Sequence, residues 1–342
     1  MNAGKMSGKR VPLVRLNLTI PLLLVLEDEG GNPESVLENF GLNRRVVEQS
    51  DMFIPAAKMY ELVEAIAEAS GDPYFGVHAG ERLELRDWSP MAKGSRSATT
   101  VGDLLLQFSL DAQHEASSVS YVTTVTGKNT TFHEQRVAEP PMPPKQNDAF
   151  TVGYLLGILK TARGSKMLGK SVLARVFDPK AIPPDYLGIR LAACDKMGAS
   201  ITFPSEWLRL ALHAPAIDET AHAEMEGRRP PESTLDAIHH VLEQHLHNRD
   251  LNAEQIAKLL GVSKRTLSRK LARINTSAAM EIAHQRQKIA QKELQSGQRS
   301  IAAIGAMIGY PDPAVFARAF KRWTGETPSQ YRKRLDKTQD TP

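Results

Sequence analysis

One short pattern occurs twice near the end of the chain, 48 residues apart. The first copy runs Asn252-Ala-Glu-Gln-Ile-Ala257-Lys-Leu-Leu-Gly261-Val-Ser-Lys-Arg-Thr-Leu267, the second Ser300-Ile-Ala-Ala-Ile-Gly305-Ala-Met-Ile-Gly309-Tyr-Pro-Asp-Pro-Ala-Val315. Asn252 and Ser300 are residue types that cap a helix, and Gln255 stands where a capping box would bond back. Ala257 and Gly305 are small where a second helix must cross closely. Gly261 and Gly309 stand where the chain reverses and needs a positive φ. Ser263 and Asp312 can cap the helix that follows, and Pro313 suits its first position. Leu267 and Val315 then anchor that helix to the first. This order is the helix-turn-helix pattern. Two copies in register predict an all-helical module, with Thr276 to Gln295 between them as one helix carrying Met280, Ile282, Ala283, Ile289, Ala290 and Leu294. Upstream, Ser233-Thr-Leu-Asp236 resembles a capping box before Leu235, Ile238, Val241, Leu242 and Leu246.

Charge separates this module from the rest. The 342 residues suffice for about two domains. Residues 1–231 carry 25 Lys and Arg against 28 Asp and Glu, whereas 232–342 carry 18 against 11. Within 258–334 the net charge reaches +12. A basic module joined to a slightly acidic one calls for a polyanion partner for one half only. The prolyl stretch Glu226-Gly-Arg-Arg-Pro-Pro-Glu232 marks the joint. The predicted organisation is a disordered arm at 1–12, an effector and dimerisation domain at 13–226, a linker at 227–233 and a DNA-binding domain at 234–336. The apolar run Leu16 to Leu26 is too short to span a bilayer. The sole cysteine, Cys194, permits no intrachain disulfide. A cytoplasmic, membrane-free protein is expected.

The first domain reads as α+β. Helices are predicted over Pro55 to Ala69, Ser97 to Leu110 and Thr151 to Thr161, with a rigid loop at Pro140 to Pro144. Strands are predicted over Val119 to Val125, Val172 to Phe177 and Ala199 to Phe203. Tyr74, Phe75, Trp88, Phe150, Tyr154 and Trp207 are candidates to line an effector pocket.

The helical period of 100° per residue sorts the second helix of each unit into faces. Leu267, Leu271 and Ile274 mark the buried side of the first, with Arg265, Ser268, Arg269 and Ala272 opposite. Val315, Phe316, Ala319, Phe320 and Trp323 mark the buried side of the second, with Ala314, Ala317, Arg318 and Lys321 opposite. Arginine on such a face can bond guanine O6 and N7 together. Ser263, Lys264, Lys270, Arg273, Lys321 and Arg322 flank these faces and are the candidates to meet phosphates.

The two units, with the tail from Gly309-Tyr-Pro-Asp-Pro through Phe316, Arg318, Phe320 and Trp323 to Tyr331-Arg332, resemble the AraC/XylS family of bacterial transcription regulators. Pro311 stands where members often carry Ser, Glu or Asp. The resemblance implies base contacts from Arg265, Ser268, Arg269, Ala314 and Arg318, of which Ala314 is less polar than usual. Gly71-Asp-Pro-Tyr-Phe-Gly-Val-His-Ala-Gly80, Thr99-Thr-Val-Gly-Asp-Leu-Leu and Gly198-Ala-Ser-Ile-Thr-Phe-Pro204 resemble the effector domain of the ornithine-utilisation-regulator branch, the so-called arabinose-binding type. The glycine-rich strand series of a cupin-type sugar domain is missing at its start. What the resemblance implies is a regulator of promoter DNA that works with RNA polymerase, as a homodimer, under a small-molecule effector of unknown identity.

No nucleotide-binding or nucleophile-elbow motif occurs, no cofactor is expected, and no histidine pair has metal-ligand spacing. A DNA-targeted enzyme or repair protein using Cys194 is one alternative. A sequence-indifferent architectural DNA binder is another.

Overall fold

The computed structural model describes residues 11–48, 52–83, 88, 98–212, 234–260 and 262–339. The arm before Val11, the joint at 227–233, the Ser233 cap and Gly261 lie outside them. The chain divides into two compact units, Met1–Glu232 and Ser233–Pro342.

The first unit opens with β1 (Leu13–Arg15), α1 (Ile20–Asp28), α2 (Pro33–Asn39), α3 (Arg44–Val47) and β2 (Phe53–Pro55), with β1 and β2 antiparallel. There follow α4 (Ala56–Ser70), α5 (Phe75–Glu81), α6 (Val101–Glu115), β3 (Val119–Thr126), β4 (Asn129–Arg136), α7 (Lys145–Arg163), β5 (Leu173–Val176), β6 (Arg190–Ala193) and β7 (Ser200–Pro204). The five-stranded sheet has the order β3-β4-β7-β5-β6. Only β5 and β6 are parallel; the other pairs are antiparallel. Helix and sheet on one core bear out the α+β expectation.

Local chemistry explains the helix ends. Thr100 and Asp103 form a reciprocal capping box at the start of α6. Burial is deepest along α7, where Ala149, Val152, Tyr154, Leu156, Ile158 and Leu159 all sit in the core. Helices α5 and α7 approach backbone to backbone. A Cβ on Gly80 would stand 2.5 Å from the Phe150 carbonyl oxygen, and one on Gly153 2.5 Å from that of Val77.

The second unit is helical throughout its described residues: α8 (Thr234–His245), α9 (Ala253–Leu259), α10 (Lys264–Ala272), α11 (Ala278–Ser296), α12 (Ile301–Met307), α13 (Pro313–Thr324) and α14 (Pro328–Gln339). Ala290, Leu294, Ile304, Ile308, Phe316, Phe320 and Tyr331 form one core cluster.

Two expectations about its faces need correction. Ile274 is 47% exposed, because α10 stops at Ala272 and Asn275 turns the chain at φ +55°. Val315 is 38% exposed, and Phe316 is the buried anchor. The two units share a spacing of 48 through the turn: the amide of Val262 donates to the Ala257 carbonyl and that of Tyr310 to Gly305. From the second caps, Ser263 and Asp312, the spacing is 49. The second turn is therefore one residue longer, and Leu267 and Leu271 correspond to Phe316 and Phe320.

Candidate functional site

In the second unit, capping fixes where each exposed helix begins. The Ser263 hydroxyl accepts from the Thr266 amide at 3.2 Å, and the Asp312 carboxylate from those of Ala314 and Val315 at 2.7 and 3.3 Å. Asn252 and Ser300 cap the preceding helices α9 and α12 in the same way. Gln255 Oε1 has no hydrogen-bond partner among the described residues, so the reciprocal half of that capping box is not formed.

With the apolar side of each helix buried, the polar side faces out. Arg265, Ser268, Arg269 and Arg273 are exposed on or beside α10. Ala314, Arg318, Lys321 and Arg322 are exposed on α13. With the offset of 49, Arg269 and Arg318 hold equivalent positions, as do Arg265 and Ala314. No ion-pair partner among the described residues meets Arg265, Arg269, Arg318, Lys321 or Arg322. Lys264 lies 3.5 Å from Glu254. Lys270 is half-buried, and burial together with Arg269 lowers its pKa. Each helix thus presents cationic side chains beside a helix N-terminus, both attractive to phosphate.

A grouping that sequence spacing does not reveal joins α8 to α11. His239, Glu281 and His284 bring their ligand atoms within 4.8 Å of one another. His239 Nε2 is 2.6 Å from Glu281 Oε2, a hydrogen-bond distance, whereas two ligands of one tetrahedral zinc stand about 3.3 Å apart. Burial raises the Glu281 pKa, but the Thr276 and His239 hydrogen bonds outweigh it and hold the carboxyl below its usual range. The contact is an interhelical tie.

The first unit holds a cavity of about 90 Å³ walled by α1, α4, α6, β3, β4, α7 and Trp88. Of the six aromatic residues singled out from sequence, Trp88, Phe150 and Tyr154 line it. The other three lie elsewhere: Phe75 is in the α5 core, Tyr74 packs against His78, and Trp207 stacks on Phe203 beneath Arg163. Tyr60, Phe108 and Tyr121 complete the aromatic wall and were not singled out. Phe108 lies 4.6 Å from Tyr121 and 6.1 Å from Trp88, centroid to centroid.

At one side of this wall lies a buried charge cluster. Arg136 donates to Glu134 at 2.7 Å, to Asp148, and to the Lys196 carbonyl at 2.9 Å, with its side chain wholly inaccessible. Glu134 also accepts from Thr151 at 3.1 Å and Tyr121 at 3.4 Å. Burial pushes the Asp148 carboxyl up to about 6 against the pull of Arg136, while its second oxygen accepts from the Phe177 amide. Trp88 Nε1, Ser118 Oγ and Tyr154 Oη are buried in the wall without a partner among the described residues.

Cys194 is partly buried and donates weakly to the Gly198 carbonyl. Burial, with Asp148 and Asp195, pushes its thiol up to about 11, which disfavours the thiolate.

Two family profiles match the chain. Residues 256–334 match a helix-turn-helix domain, and residues 30–172 match the arabinose-binding domain of AraC transcription regulators, N-terminal. The chain belongs to the AraC family of transcription regulators. Among its AraC-family relatives, the HTH-type transcriptional regulator VirS of Mycobacterium tuberculosis is 26% identical over 324 residues, covering 90% of this chain and 93% of VirS. The ornithine utilization regulator of Pseudomonas aeruginosa is 35% identical over 79 residues, 23% of each chain. The crystal structure of the transcriptional regulator CdpR from Pseudomonas aeruginosa is 18% identical, with a TM-score of 0.40 over 93% of this chain and 98% of CdpR. Like other AraC-type regulators, the chain couples an N-terminal ligand-binding domain to a helix-turn-helix DNA-binding domain. No helix among the described residues is long and apolar enough to cross a membrane.

Proposed function

We propose that this AraC-type regulator reads promoter DNA base by base through α10 and α13, under control of a small molecule held in the cavity of its first unit. Arg265, Ser268 and Arg269 on α10 and Ala314 and Arg318 on α13 face base edges. Ser263, Lys264, Lys270, Arg273, Lys321 and Arg322 meet the phosphates on either side. The observation that carries this reading is the match between the two helices: each is capped at the turn, buried on its apolar side, and exposes an arginine without an ion partner among the described residues at the equivalent position, Arg269 or Arg318. In this reading the DNA-binding domain spans 234–336 and the effector domain 13–226, and the protein acts in the cytoplasm, as a homodimer, with RNA polymerase.

The test is a binding series on selected genomic fragments. Arg269→Ala and Arg318→Ala each lose about 1–3 kcal/mol of discrimination at one or two base pairs. Lys321→Ala weakens specific and nonspecific DNA alike and lowers the salt dependence. Equal weakening of all sequences by the arginine variants would place these residues on phosphates. Protection of no definite sequence would make the protein an architectural binder.

A further inference from the structure

We infer that the effector is an uncharged, mainly apolar molecule that seats about one ring in the cavity and carries a hydrogen-bond-accepting oxygen, and that it is not a sugar. This rests on the effector reading above and adds the chemistry of the ligand. Most of the wall is aromatic or aliphatic, including Leu22, Met59, Val63, Phe108 and Phe150. A monosaccharide brings a hydroxyl on almost every carbon, and each one buried without a partner costs free energy. The wall offers too few partners for them. Its polar groups are largely engaged: Glu134 with Arg136, Thr151 and Tyr121, and Glu115 with Arg15. Three donors remain without a partner among the described residues, Trp88 Nε1–H and the Ser118 and Tyr154 hydroxyls, each more than nine-tenths buried. An indole N–H only donates, so it calls for an acceptor on the ligand.

Charge and size narrow the class further. Among the described lining residues there is no Lys, Arg or His, and the two carboxylates, Glu115 and Glu134, already hold Arg15 and Arg136, so an anion of the same shape meets no counter-charge. The cavity, at about 90 Å³, is smaller than the roughly 150 Å³ apolar cavity that accepts benzene. A single ring therefore enters with adjustment of flexible neighbours such as Met59, and a fused ring system does not fit wholly within it.

The full chain is titrated with acetophenone, toluene, benzoate and L-arabinose, followed by calorimetry and thermal shift. Acetophenone is expected to bind about tenfold more tightly than toluene, which lacks the acceptor. Benzoate and arabinose are expected to leave the melting temperature unchanged. Ser118→Ala and Tyr154→Phe keep the wall's shape, and each should weaken acetophenone several-fold while leaving toluene as it was; Trp88→Phe removes the indole N–H but also enlarges the cavity, so it is read as a fall in the ratio of acetophenone to toluene binding. Tighter binding of benzoate or arabinose, weakened by Trp88→Phe, overturns the ligand class and leaves the cavity as the effector site. Acetophenone binding that all three variants leave unchanged puts the probe elsewhere and overturns the cavity reading too. Failure of every probe to bind overturns the class.

Discussion

The guanidinium of Arg286 lies over the ring of Tyr310, 5.1 Å from its centroid, and the same group donates to the Asn248 carbonyl at 3.0 Å. Arg286 comes from the middle of α11, Asn248 follows α8, and Tyr310 sits in the second turn. One buried side chain therefore ties the second helix-turn-helix unit to α11 and to the segment that follows α8. Gly309 makes room for it. At φ +86° a Cβ there would stand 2.7 Å from the Leu246 carbonyl oxygen and 2.8 Å from Arg286 Nη2.

Replacing Arg286 should loosen that turn. Arg286→Met loses a charge-assisted hydrogen bond and a ring contact, together about 2 kcal/mol of the second unit's stability. Tyr310→Phe keeps the ring and should cost under 1 kcal/mol. Urea denaturation of the fragment from Pro231 onward, followed by circular dichroism, checks both. A loss from Tyr310→Phe as large as that from Arg286→Met would mean that the hydroxyl, not the guanidinium, holds the turn.

The buried cluster in the first unit predicts a pH effect. Asp148 titrates near 6 in the folded chain and near 3.9 unfolded, so the native state holds its proton more tightly. The contribution of this group to stability therefore rises as pH falls from about 6 to about 4 and is lost again as pH climbs through 6. Arg136→Met leaves Glu134 and Asp148 buried without their counter-charge. It should cost about 3–5 kcal/mol where both carboxylates are charged and recover part of that as pH falls towards 6, because without Arg136 the Asp148 carboxyl takes up its proton at still higher pH. Denaturation midpoints at pH 5 and pH 7.5 provide the comparison. A deficit that is constant across this range would show that the carboxylates find other partners.

How much of this was legible in the sequence depends on how local the chemistry is. Caps and turns act over three or four residues, so Asn252, Ser263, Ser300 and Asp312 could be placed directly. The extra residue in the second turn was hidden because Val315 is apolar and stands where constant spacing puts the anchor. Strand β4 was missed for a different reason. Its buried positions are Thr130, Phe132, Glu134 and Arg136, so only one of four is apolar and hydropathy shows no alternation. The cavity wall was half legible. Trp88, Phe150 and Tyr154 stand out by residue type, but Phe108, Tyr121 and Glu134 converge from α6, β3 and β4, and only the sheet register brings them together.

Association should involve the first unit. Leu106 and Leu110, one turn apart on α6, are 63% and 52% exposed, and β3 is an edge strand whose last five residues are exposed. Such an apolar pair and an open edge are surfaces that a second copy can cover. The double variant Leu106→Glu, Leu110→Glu should shift the mass measured by light scattering from dimer towards monomer at the same concentration. A wild-type chain that stays monomeric at high concentration, with and without DNA, removes the dimer. An unshifted variant moves the interface off α6.

The length of α11 predicts the spacing of the DNA boxes. Its 19 residues, at about 1.5 Å each, make a rod of roughly 28 Å between the two units. Ser277 caps one end, Gly297 in the left-handed conformation closes the other, and Ala290 and Leu294 are buried along it, so it does not stretch. One turn of B-DNA is about 34 Å, or roughly 10 base pairs. A connector of this size can set α10 and α13 in successive major grooves on one side of the duplex. One protomer should therefore read two short boxes about one turn apart, in direct orientation, because the units repeat along a single chain. Inserting about 5 base pairs between the boxes carries the second to the opposite face of the duplex. Affinity of the fragment from Pro231 should then fall to that of a single unit. Inserting about 10 restores the face but not the distance, so affinity should stay low. Gel shifts on the three duplexes decide it. If binding is indifferent to both insertions, one unit alone reads bases and α11 only joins it to a helical pair that packs.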